Sequence, residues 1–466
     1  MIDSQRVNQC CQVIFTSGTS GQPKGVLLSH DNITSTARRL VATYKSHHEV
    51  LVSYLPLSHI AAQMCDLWSS LIAGNTVYFA RPDVLKGNLT QTLKSVRPTQ
   101  FFAVPRIWEK IQQKIIASSS EEGGLQKRIA HMCRNIGFKA VSHLAEGNTS
   151  KPLGYQLADV LLFRRVLSAL GLDRCRLVVS SAAPLSEDTQ KSLWCHHVAL
   201  VQVYGLSEST GPHVACLNEA GCFRLQSVGK SMGGVMTKLD ESGSDEICLW
   251  GRNIMMGYLD APESTAQVID SSGWLHTGDV GKFDEQGFLY VTGRIKDLII
   301  TAGGENVPPK LIEAQVCDAL PALSHCVLVG DGKRFLSVLL TLQCEVDESS
   351  GRSTNRLAPV SRAFCRDCGD DASTIGPIAS GLNSHVIKEI EKRLIQVNSR
   401  ATSRAQLIRK WVLLPDDFSV KGGEIGPTMK IRRTFILEKY CEVIDAMYAE
   451  SLSVTSCDGY VIHSLT

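Results

Sequence analysis

The stretch TSGTSGQPKG occupies residues 16–25 and directly follows the apolar residues Val13, Ile14 and Phe15. It holds four hydroxyl side chains, three glycines, one proline and one lysine in ten residues. The preceding residues 11–15 are apolar and β-prone, which predicts a buried strand, and the glycines permit tight backbone turns after it. Successive backbone N–H groups in such a turn form a concave surface that binds anions. The stretch therefore predicts a loop that binds phosphate.

Side chains add further donors to this loop. The hydroxyl groups donate hydrogen bonds, and Lys24 supplies a positive charge. Glycine and lysine are not spaced as in G-x-x-x-x-G-K-[ST], so this is not a Walker A loop. A Ser/Thr/Gly-rich surface loop is the alternative, but the ordered hydroxyls before Pro23 and Lys24 favour phosphate binding. The candidate contacts are Thr16, Ser17, Gly18, Thr19, Ser20, Gly21, Gln22, Pro23 and Lys24.

Composition excludes several classes of protein. The chain has 466 residues, which predicts two or more domains, and it is 44% hydrophobic and 20% charged. Lys and Arg number 48 against 46 Asp and Glu, so we expect no nucleic-acid partner recognised by bulk charge. The 16 scattered cysteines favour a reducing, cytoplasmic compartment over a disulfide framework. We expect neither a secretory signal nor a membrane span.

The segment LVQVYGLSESTGP, residues 200–212, carries a second group of candidates. Its valines predict a strand, and Tyr204-Gly205 predicts the start of a turn. The ring of Tyr204 can stack on adenine. Glu208 offers the hard carboxylate oxygen that Mg²⁺ prefers, and the neighbouring serines can reach phosphate or a substrate carboxylate. The candidate residues are Tyr204, Gly205, Leu206, Ser207, Glu208 and Ser209, with Glu208 as the candidate metal ligand.

A third group lies in GWLHTGDVGKFDEQGFLYVTGRIKDLIITAGGENVPP, residues 273–309. Asp279 follows Gly278 in a predicted turn, where its carboxylate can accept hydrogen bonds from ribose hydroxyls. The segment FLYVTGR predicts a short strand that ends in a turn. Arg294, at the end of that segment, offers a fork of donors suited to ribose oxygens and phosphate.

These segments resemble, in the same order, those of the adenylate-forming superfamily of acyl-CoA synthetases, luciferases and peptide-synthetase adenylation domains. TSGTSGQPKGV is similar to its phosphate loop and YGLSE to its YGxSE motif. GRNIMMGYLDAPE, TAGGENVPP and GPTMKIRR most resemble the bubblegum-type long-chain acyl-CoA synthetases. The resemblance covers nearly the whole chain. It implies an α/β adenylate-forming fold, with a large layered α/β domain in residues 1–296 and a small mobile α+β domain in residues 297–466.

The resemblance also implies a reaction. A long-chain fatty carboxylate attacks the α-phosphate of ATP held with Mg²⁺, pyrophosphate leaves, and the thiol of coenzyme A then displaces AMP. Lys430 in the PTMK segment would neutralise charge between carboxylate and phosphate, with Lys24 and Glu208 also catalytic. The alternative for Lys430 is simple membership of the basic cluster with Arg432 and Arg433.

Other features have roles that only the resemblance implies. The turn in RLVVSSAAPLS, residues 176–186, would form a wall beside adenine, and the GGEN loop would line the coenzyme A channel. Lys296 would be the hinge between the domains. His59 would lie near the acyl pocket, and a helix-capping histidine is the alternative. Residues 348–371 are polar and turn-rich, which predicts an insertion or mobile loop.

The start of the chain departs from the family pattern. Family members carry a long segment before the phosphate loop, whereas fifteen residues precede Thr16 here, so we expect an N-terminally truncated large domain. Three hypotheses follow: an active long-chain acyl-CoA synthetase, a truncated non-catalytic paralogue that binds nucleotide or regulates a full-length partner, and an adenylating enzyme with another acyl acceptor. Peripheral association with the endoplasmic reticulum or another membrane, the oligomeric state and the preferred acyl chain stay open.

Overall fold

A computed structural model describes residues 4–16, 23–81, 84, 88–119, 124–183, 185–347, 353–401, 403–426, 431–449, 455–457 and 460–465. The chain divides into two compact units, Met1–Val291 and Thr292–Thr466. The division lies a few residues before Lys296, the hinge position expected from the sequence. Both units mix helices with strands, as the fold-class prediction requires.

The strands of the first unit come early and late in the chain, with a helical region between them. The strands are β1 (Cys10–Thr16), β2 (Lys24–Ser29), β3 (Val50–Ser53), β4 (Thr76–Phe79), β5 (Gln100–Ala103), β6 (Leu177–Ser180), β7 (Val201–Leu206), β8 (Gly211–Ala215), β9 (Lys230–Ser231), β10 (Val235–Leu239), β11 (Glu246–Gly251), β12 (Gly257–Tyr258), β13 (Leu275–Phe283) and β14 (Leu289–Arg294), which crosses the division. The helices are α1 (His30–Tyr44), α2 (Ile60–Ala62), α3 (Ser69–Ala73), α4 (Leu89–Val96), α5 (Pro105–Ser119), α6 (Gly124–Ala145), α7 (Tyr155–Ala158), α8 (Arg164–Leu170), α9 (Glu187–Cys195) and α10 (Pro262–Val268). Gln63–Trp68 and Asp159–Phe163 are π-helical, and Ser207–Ser209 is a 3₁₀ turn.

A five-stranded sheet in the order β5-β6-β7-β8-β9 forms the centre of this unit. Strands β5, β6 and β7 are parallel, and β8 returns antiparallel to β7. All four residues of β6 are buried, because the sheet is covered on both faces. Leu177 and Val179 enter one hydrophobic core, whereas Val178 enters another.

A three-stranded antiparallel sheet, β1-β2-β12, carries the start of the chain. The prediction of a strand before the phosphate loop is confirmed, but the prediction that it is buried is wrong. Ile14 is 4% exposed, whereas Val13 is 39% and Phe15 64% exposed. Among the described residues β1 pairs only with β2, so it is an edge strand with one face open. Its apolar composition gave no sign of which face is covered.

The second unit has its own sheet and its own cores. Its strands are β15 (Ile299–Ile300), β16 (Asn306–Val307), β17 (Leu323–Val329), β18 (Leu336–Leu342), β19 (Cys344–Val346), β20 (Ser353–Leu357), β21 (Ile408–Leu413), β22 (Thr455–Cys457) and β23 (Tyr460–Ser464). Its helices are α11 (Pro309–Ala319), α12 (Pro359–Asp367), α13 (Gly376–Ala379), α14 (Ser384–Asn398), α15 (Arg433–Lys439) and α16 (Cys441–Tyr448). The main sheet has the order β17-β18-β21-β23-β22, and every residue of β18 is buried because helices cover both faces.

The stretch 348–371 is not the predicted loop, and its interpretation as an insertion stays a prediction. Residues 348–352 lie outside the described ranges, but from Ser353 onwards the chain forms β20 and α12 instead of an irregular loop. Leu357 and Cys365 are both 0% exposed and join the core of the unit. Their apolar side chains are spaced among polar residues, so composition alone concealed the buried face.

None of the described helices combines the length and the apolar character that a membrane crossing requires.

Candidate functional site

The two ends of the predicted phosphate loop meet at the tip of a β-hairpin. Thr16 and Lys24 are directly paired across β1 and β2. Ser17, Gly18, Thr19, Ser20, Gly21 and Gln22 lie outside the described residues, so their predicted contacts stay predictions. Gly25, the last residue of the motif, lies close to Leu259. A Cβ at this position would lie 3.1 Å from Cβ of Leu259, which explains the glycine. The exposed Pro23 and the half-buried Lys24 lead from the loop into β2.

The short strand β12 brings an unpredicted tyrosine beside Lys24. β12 pairs with β2, with Tyr258 opposite Val26. The ammonium of Lys24 lies 4.9 Å from the centroid of the Tyr258 ring, within range of a cation–π interaction. Tyr258 therefore holds the lysine at the mouth of the loop. In the sequence, GRNIMMGYLDAPE carried only a family resemblance, and its tyrosine was the one available signal for this contact.

The same tyrosine orients the predicted metal ligand. Its hydroxyl donates a 2.9 Å hydrogen bond to Oε1 of Glu208. Burial raises the pKa of Tyr258 above its ordinary value, and the carboxylate of Glu208 raises it further. The phenol consequently stays protonated and remains a donor at neutral pH. Lys24, Tyr258 and Glu208 thus form a continuous row from the phosphate-loop hairpin to the end of β7.

The turn after β7 is fixed from within by Ser209. Ser209 is 0% exposed, and its hydroxyl donates to the carbonyl of Gly211 at 2.8 Å and accepts from the Leu206 N–H at 3.0 Å. Asn253 adds a 2.9 Å bond from its side-chain amide to the Ser209 carbonyl. The hydroxyl of Ser209 is thus engaged inside the turn, whereas Ser207 and Glu208 are half-buried and open toward solvent.

Tyr204 and Asp279 are brought together by the packing of two different sheets. Tyr204 lies on β7 and is 9% exposed, and Asp279 lies on β13 and is 6% exposed. The tyrosine hydroxyl donates a 2.7 Å hydrogen bond to Oδ2 of the aspartate. The Asp279 N–H in turn donates to Oγ1 of Thr277 at 3.1 Å. This network fixes the direction of a nearly buried carboxylate beside an aromatic ring.

Two turn predictions in these motifs are wrong. Tyr204 and Gly205 lie within β7, and the turn begins only at Ser207. A bulge at Gly205 explains the glycine, because a Cβ there would lie 2.0 Å from the Gly211 carbonyl oxygen. Asp279 likewise lies within β13. Gly278 has a φ of 71°, a left-handed conformation that glycine adopts without steric cost, so the strand continues through this position.

The small-residue turn after β6 lies beside β7. Ser181 donates from its hydroxyl to the carbonyl of Val203 at 2.9 Å, so the turn is bonded to the residue before Tyr204. Ala182 has φ of 75°, a left-handed conformation that a residue with a Cβ adopts at a cost. His59 is the N-cap of α2, and its Nδ1 accepts from the Ala61 N–H at 3.2 Å, as in the helix-cap alternative.

The remaining predicted residues belong to the second unit. Arg294 ends β14 and is exposed, and Lys296 lies in the 3₁₀ turn Ile295–Asp297. The GGEN loop closes the hairpin of β15 and β16, with Gly304 at φ of 77°. Lys430 lies outside the described residues.

An internal cavity lies behind β7. Its lining is mostly apolar and includes Leu51, Phe101, Val179 and Val203, together with the carboxyl of Asp66. Its volume is about 70 Å³.

Comparisons with known proteins extend the geometric picture. The sequence model described as AMP-binding enzyme matches residues 2–259. A long-chain-fatty-acid–CoA ligase of Xenopus laevis is 45% identical over 459 residues, which is 97% of this chain and 62% of that protein. A human long-chain-fatty-acid–CoA ligase is 47% identical over 453 residues, which is 96% of this chain and 68% of that protein. The chain thus spans about three fifths to two thirds of the length of these relatives.

Solved structures show the same fold. The ATP-bound MatB of Rhodopseudomonas palustris aligns with a TM-score of 0.62 at 20% identity, over 94% of this chain and 70% of that one. The adenylation domain of a carboxylate reductase from Mycobacterium chelonae aligns with a TM-score of 0.66 at 20% identity, over 96% and 61%. At these identities the likeness establishes the fold alone, and it confirms the predicted fold class.

Proposed function

This chain belongs to the AMP-binding enzyme family, and from that premise we propose that it activates long-chain fatty acids with ATP and passes them to coenzyme A. The observation that carries the proposal is the row of side chains along β7. Tyr204 and Asp279 form an acceptor at one position on the strand, and Glu208 with Tyr258 and Lys24 forms a charged group at its carboxyl end. Ligands of open α/β sheets bind at the carboxyl ends of strands.

Each end of the row suits one part of a nucleotide. The oriented carboxylate of Asp279 accepts hydrogen bonds from ribose hydroxyls, and Arg294 is proposed to add donors to the ribose and phosphate. Lys24 and the hairpin loop suit the β- and γ-phosphates, because an ammonium and clustered N–H groups both stabilise oxyanions. The bonded turn at Ser181 is proposed to flank the adenine.

The reaction follows from that placement. A carboxylate oxygen of the fatty acid attacks the α-phosphorus, and the bond from phosphorus to the bridging oxygen of pyrophosphate breaks. The thiol of coenzyme A, as thiolate, then attacks the carbonyl carbon of the acyl-adenylate, and AMP leaves. The chain contributes position and charge stabilisation in both steps, with Lys24 and Lys430 as the proposed cations. The GGEN loop of the second unit is the proposed contact for coenzyme A.

Glu208 fits the magnesium ion that accompanies ATP. Its carboxylate is half-buried, and the Tyr258 hydroxyl fixes one of its oxygens. Magnesium is commonly held by one or two carboxylates together with substrate phosphates, so a single oriented carboxylate is a suitable protein ligand. When bound, the ion would neutralise phosphate charge.

The fatty-acid substrate rests on the relatives. Proteins 45–47% identical over nearly the whole chain are named long-chain-fatty-acid–CoA ligases. A cytoplasmic location, with peripheral attachment to a membrane such as the endoplasmic reticulum, is part of the same proposal. The alternative is a non-catalytic paralogue that binds nucleotide or regulates a full-length partner.

Pyrophosphate release tests the proposal directly. The purified chain is assayed with Mg-ATP, palmitate and coenzyme A, beside Lys430→Ala and an exposed-lysine control, Lys392→Ala. Lys392 is 77% exposed in its side chain and lies in α14. We expect palmitate-dependent release that collapses in Lys430→Ala and persists in Lys392→Ala. A monodisperse chain that binds ATP by calorimetry but releases no pyrophosphate would instead establish the non-catalytic alternative.

A further inference from the structure

Three metal-ligating side chains converge on the outer face of the β11–β13 strand pair. Glu246 and Cys248 lie on β11, and His276 lies directly opposite Cys248 on β13. One carboxylate oxygen, the thiol sulfur and an imidazole nitrogen all lie within 4.8 Å of one another. The sulfur is 3.6 Å and the carboxylate Oε2 is 2.9 Å from Nδ1 of the histidine. Neither the nucleotide contacts nor the proposed reaction uses these groups.

We propose that Glu246, Cys248 and His276 form a binding site for zinc or a similar divalent transition metal. Zinc bonds to sulfur at about 2.3 Å and to nitrogen or oxygen at about 2.0–2.2 Å in a tetrahedron. Those lengths place neighbouring ligand atoms roughly 3.3–3.6 Å apart. The sulfur–nitrogen separation of 3.6 Å matches this spacing, whereas the carboxylate oxygen would move outward from its 2.9 Å hydrogen bond to Nδ1. A mixed sulfur, imidazole and carboxylate set selects such metals over Mg²⁺ or Ca²⁺. Three protein ligands leave the fourth position for water.

The far side of the imidazole supports the same assignment. Oδ2 of Asp270 lies 3.7 Å from Nε2 of His276. The other oxygen of Asp270 accepts from the N–H groups of Ser272 and Trp274 at 2.8 and 2.9 Å, so this carboxylate is held in place. A histidine that binds metal commonly directs its second nitrogen to a carboxylate. Asp270 is therefore a positioning residue for His276.

The charge around the thiol also suits a cation. Three carboxylates, of Glu246, Asp240 and Asp270, act electrostatically on Cys248, against one ammonium, of Lys238. That ammonium lies 4.7 Å from the centroid of the Trp274 ring. On binding, the thiol releases its proton and a sulfur–metal bond forms. The imidazole proton moves from Nδ1 to Nε2, which frees Nδ1 for the metal.

The site is connected to the nucleotide side by one hydrogen bond. Oε1 of Glu246 accepts from the N–H of Gly278 at 2.7 Å, and Gly278 precedes Asp279. A metal ion at Oε2 would therefore fix the strand that presents the proposed ribose contact. The metal site itself rests on side chains outside the nucleotide contacts, and its test is made without ATP.

Cobalt binding tests the inference. The full chain is stripped with chelator, kept reduced, and titrated with Co²⁺, whose bond to a thiolate gives a charge-transfer band in the near ultraviolet. We expect one equivalent of Co²⁺ with that band, displaced by Zn²⁺. Cys248→Ser should lose the band, and Cys222→Ser, which alters a half-buried thiol outside the cluster, should retain it.

A second variant keeps the test decisive if Cys248→Ser fails to fold. Asp270→Asn preserves all three ligands and the oxygen that accepts the backbone N–H groups. It should weaken Co²⁺ binding by about 10–100-fold while the charge-transfer band persists. Absence of the band in the folded wild-type chain would overturn the site. The site would also be overturned if Cys248→Ser and Asp270→Asn both showed the wild-type band and the wild-type affinity for Co²⁺. The cluster would then be a hydrogen-bonded pair beside a buried thiol.

Discussion

The hydroxyl of Tyr204 donates a 2.7 Å hydrogen bond to Oδ2 of Asp279, and the pair is buried although the residues are 75 positions apart. The bond joins the YGLSE and HTGD segments, which the sequence analysis treated as separate candidates. The donor fixes one carboxylate oxygen and so orients the carboxylate. The ring of Tyr204 thus has a second role besides the predicted stacking, because it positions the proposed ribose acceptor.

Tyr204→Phe should therefore weaken ATP binding without unfolding the chain. The substitution keeps the ring but removes the hydrogen bond to Asp279, so the carboxylate of Asp279 loses one donor. A loss of about 1–2 kcal/mol corresponds to a KM for ATP that rises about 5- to 30-fold. Pyrophosphate release at varied ATP measures this change. Tyr78→Phe, at a tyrosine that is 49% exposed, is the matched control. A KM equal to that of the control would remove Tyr204 from the site.

The two roles of Tyr258 can be separated by a pair of substitutions. Tyr258→Phe removes the hydrogen bond to Glu208 but preserves the ring beneath Lys24. Tyr258→Leu removes both. We expect kcat/KM to fall about 10-fold or more in the phenylalanine variant, and a further 2- to 5-fold in the leucine variant, since an exposed cation–π contact contributes about 0.5–1 kcal/mol. Steady-state kinetics with Mg-ATP measures both steps. Equal activity in the two variants would show that the ring does not hold Lys24.

Local patterns predicted much of this molecule. The apolar run before the phosphate loop gave β1, and the valines after Leu200 gave β7. In both segments the β-prone residues agree with their pairing in a sheet. The order of the motifs then led to the correct fold class and family.

The missed features depend on contacts between distant residues. β12 is only two residues long and has no periodicity, yet its pairing with β2 places Tyr258 beside Lys24. The exposed face of β1 could not be predicted either, because hydropathy does not show which neighbours cover a strand. The bulge at Gly205 arises from the approach of β8, so the sequence suggested a turn where the strand continues.

Gly205→Ala should destabilise the first unit through that bulge. The new Cβ would lie 2.0 Å from the Gly211 carbonyl oxygen and 2.7 Å from its carbon, so β7 and β8 would have to separate. Such overpacking typically costs about 1–3 kcal/mol. Gly233→Ala is the control, since a Cβ there meets no atom within 4 Å. Urea unfolding of both variants gives the comparison. A Gly205→Ala midpoint as high as that of Gly233→Ala would show that the bulge relaxes freely.

A buried histidine beside the Glu208 turn should make stability depend on pH. His213 is 0% exposed, its Nδ1 accepts from the Asn253 amide at 2.9 Å, and its Nε2 donates to the Met236 carbonyl at 3.0 Å. Burial lowers the pKa of His213 from 6.5 to about 4. Below pH 6.5 the unfolded chain binds a proton that the folded chain does not, so the free energy of unfolding falls as pH falls from 6.5 toward 4.

His213→Gln removes this titration while it keeps a donor and an acceptor. Burial raises the pKa of Asp66 from 3.8 to about 7, which acts in the opposite direction, so the total pH profile is not informative. The decisive quantity is the difference in free energy of unfolding between wild type and variant, from urea unfolding at pH 7.5 and pH 5. We expect it to shift by about 2 kcal/mol in favour of the variant at pH 5. A constant difference across this range would show that His213 binds its proton equally in the folded and unfolded states, so that its burial does not lower its pKa.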